Sequence, residues 1–229
     1  MSRSTTKALA PVTPRPPLAD EVHERLRSWI IDSVREPGLR LNVEAVARAL
    51  DVSPTPVREA LVRLETEGFV LKEPLRGWSI TPPLDAGEVA DLYELRSLLE
   101  PWAAGRAARR ATDDDRDRLR AELASCPVAP RGGDFASYRA IVEHDARLHD
   151  LLLEIAGNDE VRAAVARTNC HLHIFRLTYG TSMGTQALHE HGAIVDAVLA
   201  GDARGAERAM RQHLGQARAR LVPAIASGL

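Results

Sequence analysis

Four ionisable side chains stand at positions where helical periodicity places core residues. On the stripe Ile141, Leu148, Leu152 and Ile155, Asp145 and His149 occupy consecutive turns of the same face. His191 falls on a second stripe with Leu188, Ile194, Val195 and Val198, and His213 on a third with Ala206, Ala209, Met210 and Ala217. A carboxylate or imidazole taken out of water without a partner is costly. Three segments that each aim such a group inward therefore predict a shared polar centre, which can take two forms. The groups can hydrogen-bond as ordinary core residues do, the commoner fate of a single inward histidine. Alternatively they surround a divalent cation, zinc first, with nickel or manganese also suited to one aspartate and three imidazoles. The residues alone leave both open.

A second group suits anions. Behind Asn42, a good N-cap, Val43, Val46, Ala47 and Leu50 recur at helical spacing. Asp51-Val52-Ser53 turns the chain, Ser53 or Thr55 can cap the next helix, and Pro54 or Pro56 fits its first turn. Val57, Ala60, Leu61 and Leu64 line one face of that helix, and Gly68 closes it. Ser53, Thr55 and Arg58 gather at its outer start, where free backbone N–H groups favour a phosphate or a base edge. Phe69-Val70-Leu71 and Trp78-Ser79-Ile80 then read as a hairpin, with Arg76 and Gly77 at its tip. Two helices joined by a short turn and followed by a hairpin make a winged helix-turn-helix, whose second helix enters the major groove.

The positioning elements follow from the same patterns. Leu18 to Val34 is predicted as a helix packed beneath the other two and ended by Pro37-Gly38, and Thr81-Pro82-Pro83 as a stiff linker. We therefore expect a winged helix-turn-helix over 18–81, a linker at 82–84 and a second domain over 85–229. Met1 to Pro17 has four prolines and no apolar core of signal-peptide length, and is expected to be a disordered arm. From Asp85 onward no strand is predicted. A capping box at Asp85 and Glu88 opens a helix that runs until Pro101. Further helices are predicted at Trp102–Arg110, Thr112–Ala124, Asp134–Ala156, Asn158–Thr178, Thr185–Ala200 and Asp202–Ala226. Pro127, Gly132-Gly133, Gly157, Gly180, Gly184 and Gly201 punctuate them. The fold class is mainly α, a winged helix-turn-helix followed by an all-α antiparallel bundle.

Composition limits the function classes. With 45% apolar and 27% charged residues, the 229-residue chain has the make-up of a soluble globular protein with one or two real cores. The net charge of −2 gives no general affinity for nucleic acid. Up to Pro83 there are 12 basic and 11 acidic residues, so a basic footprint must be local, from Arg48, Arg58, Arg63, Lys72 and Arg76 on one face. Two cysteines, Cys126 and Cys170, make neither a disulfide framework nor a cysteine metal site, which fits the cytoplasm. No run approaches the roughly 20 apolar residues of a membrane helix.

The string Val52-Ser53-Pro54-Thr55-Pro56-Val57-Arg58-Glu59-Ala60-Leu61, with Arg63-Leu64-Glu65 and Glu67-Gly68, resembles the GntR superfamily of bacterial transcription regulators. The resemblance implies that Ser53, Thr55 and Arg58 contact DNA and that Gly77 belongs to the wing. Pro54 replaces an arginine common in relatives, and Glu44 one that some members use on DNA; both departures bear on operator sequence. Asp145-x-x-x-His149, Glu190-His191, Gly201-Asp202 and His213-Leu214 resemble the FCD effector domain of the FadR branch. Tyr93-Glu94-Leu95-Arg96, Leu99-Glu100 and Ala103-Ala104 match its opening helix, and the two resemblances span about residues 18 to 221. In many such domains the aspartate and three histidines hold a divalent metal, and a small organic acid completes its coordination.

Arg96 and Arg176 are candidates to grip an effector carboxylate in bidentate fashion, against the ordinary role of a salt-bridged surface arginine. His144, His171, His173 and His189 read as surface or structural residues. Asp113-Asp114-Asp115 is a first turn favoured by the helix dipole. The leading expectation is a homodimeric, effector-responsive regulator on palindromic operator DNA, as repressor or activator. A metal-dependent enzyme and a constitutive DNA-binding protein with a structural metal are the alternatives.

Overall fold

In the computed structural model, residues 18–32, 38–126, 135–178 and 184–226 are described. The expected arm Met1–Pro17 and the breaks at Pro37, Pro127, Gly132-Gly133 and Gly180 lie outside them.

Helix α1 (Leu18–Asp32) leads to strand β1 (Arg40–Leu41), α2 (Val43–Leu50), α3 (Pro54–Thr66), β2 (Val70–Glu73) and β3 (Gly77–Ile80). Asn42 Oδ1 accepts from the Ala45 amide at 2.9 Å, and Asp51, at φ 55°, closes α2 in the left-handed region. Ser53 is the N-cap of α3, but its side chain makes no cap hydrogen bond; Pro54 at the first helical position removes a donor instead. Gly68, at φ 80°, ends α3, its amide donating to Glu65 O at 3.0 Å. The sheet order is β1-β3-β2, all antiparallel, with Arg40 opposite Ser79 and Val70 opposite Ile80. Strand β1 was not predicted, because two residues are too few to show a period. Leu26, Ile30, Val57, Leu61, Leu64 and Phe69 are buried between the helices and this sheet.

Helix α4 (Ala86–Arg110) starts at the predicted capping box: the Glu88 amide donates to Asp85 Oδ1 at 2.8 Å and the Asp85 amide to Glu88 Oε2 at 2.9 Å. It does not end at Pro101. The proline forfeits one bond to the Ser97 carbonyl, at about 3 kcal/mol, yet the helix runs on because Pro101, Ala103, Ala104, Ala107 and Ala108 are all buried. Then come α5 (Asp113–Ser125), α6 (Phe135–Ala156), α7 (Asp159–Ala166), α8 (Cys170–Thr178), α9 (Gly184–Leu199) and α10 (Ala203–Ala226). The single helix predicted over Asn158–Thr178 is two, because Asn169 takes φ 46° and breaks the ladder. Helix α4 is the axis of the bundle, packed against α10, α6 and α9.

The two halves meet through a continuous core. Cys126, Ile141 and Val142 belong to the same buried cluster as Phe69 and Ile80, with Leu172 and Leu188 against it. No helix among the described residues is long and apolar enough to cross a membrane.

Candidate metal centre and nucleic-acid interface

Asp145 and His149 project from α6, His191 from α9 and His213 from α10, and one ligand atom of each lies within 4.8 Å of the others. His149, His191 and His213 are 1%, 0% and 3% exposed, so water cannot satisfy their ring nitrogens. Each holds its Nδ1 outward on another group. His149 Nδ1 lies 2.5 Å from Glu100 Oε2 and His213 Nδ1 2.8 Å from Glu190 Oε2, so both must carry the proton there. His191 Nδ1 meets His144 Nε2 at 3.1 Å, and His144 Nδ1 in turn meets Glu122 Oε1 at 2.9 Å. A proton on each Nδ1 satisfies this chain and leaves the Nε2 lone pairs of His149 and His191 facing Asp145, with that of His213 free for the same cluster.

Protonation states agree. Burial dominates His149 and pulls it down to about 3, against the pull of Glu100. Burial also lowers His213. Burial alone would raise Asp145, but the charge and hydrogen bond of His171 beside it hold it well below the usual carboxylate range. A neutral His149 and a neutral His213 beside an ionised Asp145 are the protonation states a divalent cation requires. His149 Nε2 and His191 Nε2 are buried without a hydrogen-bond partner. They lie 3.8 and 3.1 Å from Asp145 Oδ1, the closer one without hydrogen-bond alignment. Lone pairs opposed at such distances across a buried space need a positive charge between them, and the donor set fits a cation.

Asp145 and His213 also line a cavity that opens to solvent. The two arginines expected at an effector separate here. Arg96 lines the cavity, 2% exposed, with Nε 2.6 Å from Glu100 Oε1 and Nη2 3.4 Å from His149 Nδ1. Arg176 is not in its lining. Buried, it donates from Nη2 to the Thr81 carbonyl at 2.8 Å and stacks over Phe69 at 5.5 Å, tying α8 to the winged domain.

Sequence reasoning passed over several partners. His171, read as a spare histidine, lines the cavity and sets Nδ1 2.5 Å from Asp145 Oδ2. Burial opposes its protonation, but Cys170 and Asp145 outweigh that and raise it to about 10. His144 is fully buried behind His191. Glu190 sits beside His191 in sequence, the one available signal that it takes part, and it accepts from both His213 and Arg220. His173 stacks on Phe69 and sets Nε2 3.0 Å from the Glu67 carbonyl, a contact it makes as the N–H tautomer.

In the winged domain Ser53, Thr55 and Arg58 stand exposed at the start of α3. Arg58 Nη2 is 3.0 Å from Glu44 Oε1, a pair with side chains 57% and 56% exposed. Arg76 and Gly77 are exposed at the wing tip, where Gly77 takes φ 83°, a value that favours glycine. Lys72 lies 5.4 Å over the Trp78 ring. Arg63 does not join this group. Five residues on from Arg58, and so roughly 140° round the helix, it meets Asp20 of α1 at 2.5 Å.

A winged helix-turn-helix with an open recognition helix, joined to a helical chamber, is the build of a DNA-binding transcription regulator. The chain belongs to the family described as bacterial regulatory proteins, gntR family, whose model matches residues 18–80, and it carries an FCD domain over residues 91–216. It is 32% identical over 230 residues to the Uxu operon transcriptional regulator of Escherichia coli (strain K12), covering 88% of this chain and 86% of that protein. It is 26% identical over 195 residues to the HTH-type transcriptional regulator YdhC of Bacillus subtilis (strain 168), 84% and 86% covered. The solved structure of E. coli McbR/YncC has the same fold, with a TM-score of 0.67 at 20% identity, covering 91% of this chain and 99% of that one. Family and relatives are transcription regulators, so the enzyme alternative falls.

Proposed function

We propose that this regulator binds operator DNA as a homodimer in the cytoplasm, and that a small organic acid at a divalent-metal centre changes its occupancy of the operator. Asp145, His149, His191 and His213 would hold the metal, zinc in the first instance. The observation that carries the reading is the pair of buried, unpartnered Nε2 atoms of His149 and His191 beside Asp145, with the Nδ1 atoms of His149, His191 and His213 all tied outward. A bound divalent cation supplies a Lewis-acidic centre that a carboxylate can join. Arg96 adds positive charge beside it, and Glu100 and Glu190 orient His149 and His213. The cavity that reaches Asp145 and His213 favours sensing over a closed structural centre.

On the DNA side, Ser53, Thr55 and Arg58 address the groove from the start of α3, while Arg76 and Gly77 address the backbone from the wing. A twofold dimer would set two such helices about one DNA turn apart. Leu98 and Trp102, 69% and 36% exposed on successive turns of α4, offer an apolar face for that pairing.

The test is operator binding by full-length protein, zinc-loaded or chelated, on a fragment that the protein selects from random DNA, with and without a set of organic acids. Binding by the loaded protein should respond to an acid; chelation and His191→Ala should remove the response. A response kept by a His191→Ala protein shown to be metal-free would overturn the reading.

A further inference from the structure

The cavity beside the cluster has a graded lining. On α6, the lining residues leading away from Asp145 are Val142, Ile141 and then Tyr138. On α10, those beyond His213 begin with Ala217 and end with Leu221, and on α8 Ile174 follows His171. On α9, Ala187 and Gly184 come one and two turns before His191. At 5.4 Å per turn the wall runs on for about 11 Å from the cluster along several helices. Apart from Tyr138 and Arg220 it is aliphatic among the described residues, with room left by residues as small as Gly184, Ala187 and Ala217.

The charged groups of this lining are already committed. Arg96 pairs with Glu100 at 2.6 Å, and Arg220, the one charged residue among the described lining beyond the cluster end, gives both terminal nitrogens to Glu190 at 2.7 and 2.9 Å. His171 faces Asp145. Among the described lining residues no unpaired cation remains for a second carboxylate, and a row of hydroxyls along the wall would meet mostly carbon. One polar group is unused: the Tyr93 hydroxyl, buried on a side chain 1% exposed, has no hydrogen-bond partner, and its ring lies 5.4 Å from the Arg96 guanidinium at the cluster end. It is placed to donate to an incoming carboxylate.

We infer that the effector is an amphipathic monocarboxylate, its carboxylate at the Asp145–His213 end beside Tyr93 and its apolar chain or ring along the wall of α6 and α10, rather than a polyhydroxy acid or a dicarboxylate. This rests on the organic-acid reading above and narrows it to a class.

Calorimetric titration of zinc-loaded full-length protein with acids of matched length tests it. From acetate through butanoate to hexanoate, affinity should rise about fourfold per methylene, or about two-hundredfold in all. Gluconate and adipate, with the same six carbons as hexanoate, should bind about tenfold more weakly than hexanoate or worse. Ala217→Phe, and separately Ala187→Leu, should bring hexanoate down toward acetate while leaving acetate unchanged. Tyr93→Phe should weaken both acids alike. Gluconate or adipate binding as tightly as hexanoate, or affinity independent of chain length, would overturn this inference and leave organic-acid sensing standing. Failure of every acid to bind loaded protein better than chelated protein would overturn both.

Discussion

Glu44 in the first turn of α2 holds Arg58, one turn into α3, at 3.0 Å, with both side chains more than half exposed. A phosphate or base edge must draw Arg58 away from Glu44, so the pair opposes DNA binding by as much as it is worth. Exposed pairs of this kind shift equilibria by about 1.4- to 5-fold. Glu44→Gln keeps the size of the side chain and removes its charge, and should tighten operator binding by that factor. Arg58→Ala should weaken it about fivefold or more, and should lower the salt slope by roughly one if the lost contact is to phosphate. Fluorescence anisotropy on one fragment at fixed ionic strength, with wild type, both single variants and the double variant, closes the cycle. If Glu44 acts through Arg58, Glu44→Gln has no effect once Arg58 is alanine. An equal gain in both backgrounds would mean that Glu44 simply repels DNA, and no gain in either would refute the link altogether.

Two further outcomes are expected. Glu190→Gln removes the carboxylate that orients His213 Nδ1 and should cost about 10- to 100-fold in zinc affinity, read by competition with a chromophoric chelator; unchanged affinity would count against the centre. His173 is held below its ordinary 6.5 by burial and then by Arg176. As pH falls below about 6.5 the unfolded chain therefore takes a proton that the folded one refuses, so the contribution of His173 to stability is present above that pH and declines beneath it. Urea midpoints of chelated protein at pH 7.5 and about 5.5 should fall less in His173→Gln than in wild type, and an identical fall would refute this.

The winged domain was legible because its signals are local. Asn42 bonds three residues ahead, and Gly68 closes α3 by its own φ. The inward faces of α6, α9 and α10 were legible for a related reason: a misfit on an apolar stripe needs no knowledge of what lies opposite. What lies opposite was not legible. Glu100 reaches His149 across 49 residues and His144 reaches His191 across 47, pairings fixed by the register of separate helices. Pro101 and Asn169 misled in opposite directions, since packing carries a helix through a proline while one left-handed residue ends another. Arg96 and Arg176 looked alike in sequence, and only the packing of α4 and α8 gives one to the cluster and the other to Thr81.

That division of α8 bears on how a ligand could reach DNA. The helix is nine residues long. One face presents His171 and Ile174 to the cavity, and another presents His173 and Arg176 to Glu67, Phe69 and Thr81 of the winged domain. A helix of about two and a half turns moves as a unit. A ligand that displaces His171 from Asp145 must therefore either break that contact alone or carry His173 and Arg176 with it. The second course pulls on the end of α3 and on the strand that leaves the wing, since Glu67 caps α3 and Thr81 follows β3 directly. The receiving surface has little slack: a Cβ on Gly68 would stand only 3.0 Å from His173 Nε2. On that second course, displacement of His171 would be passed to the winged domain through a few buried contacts.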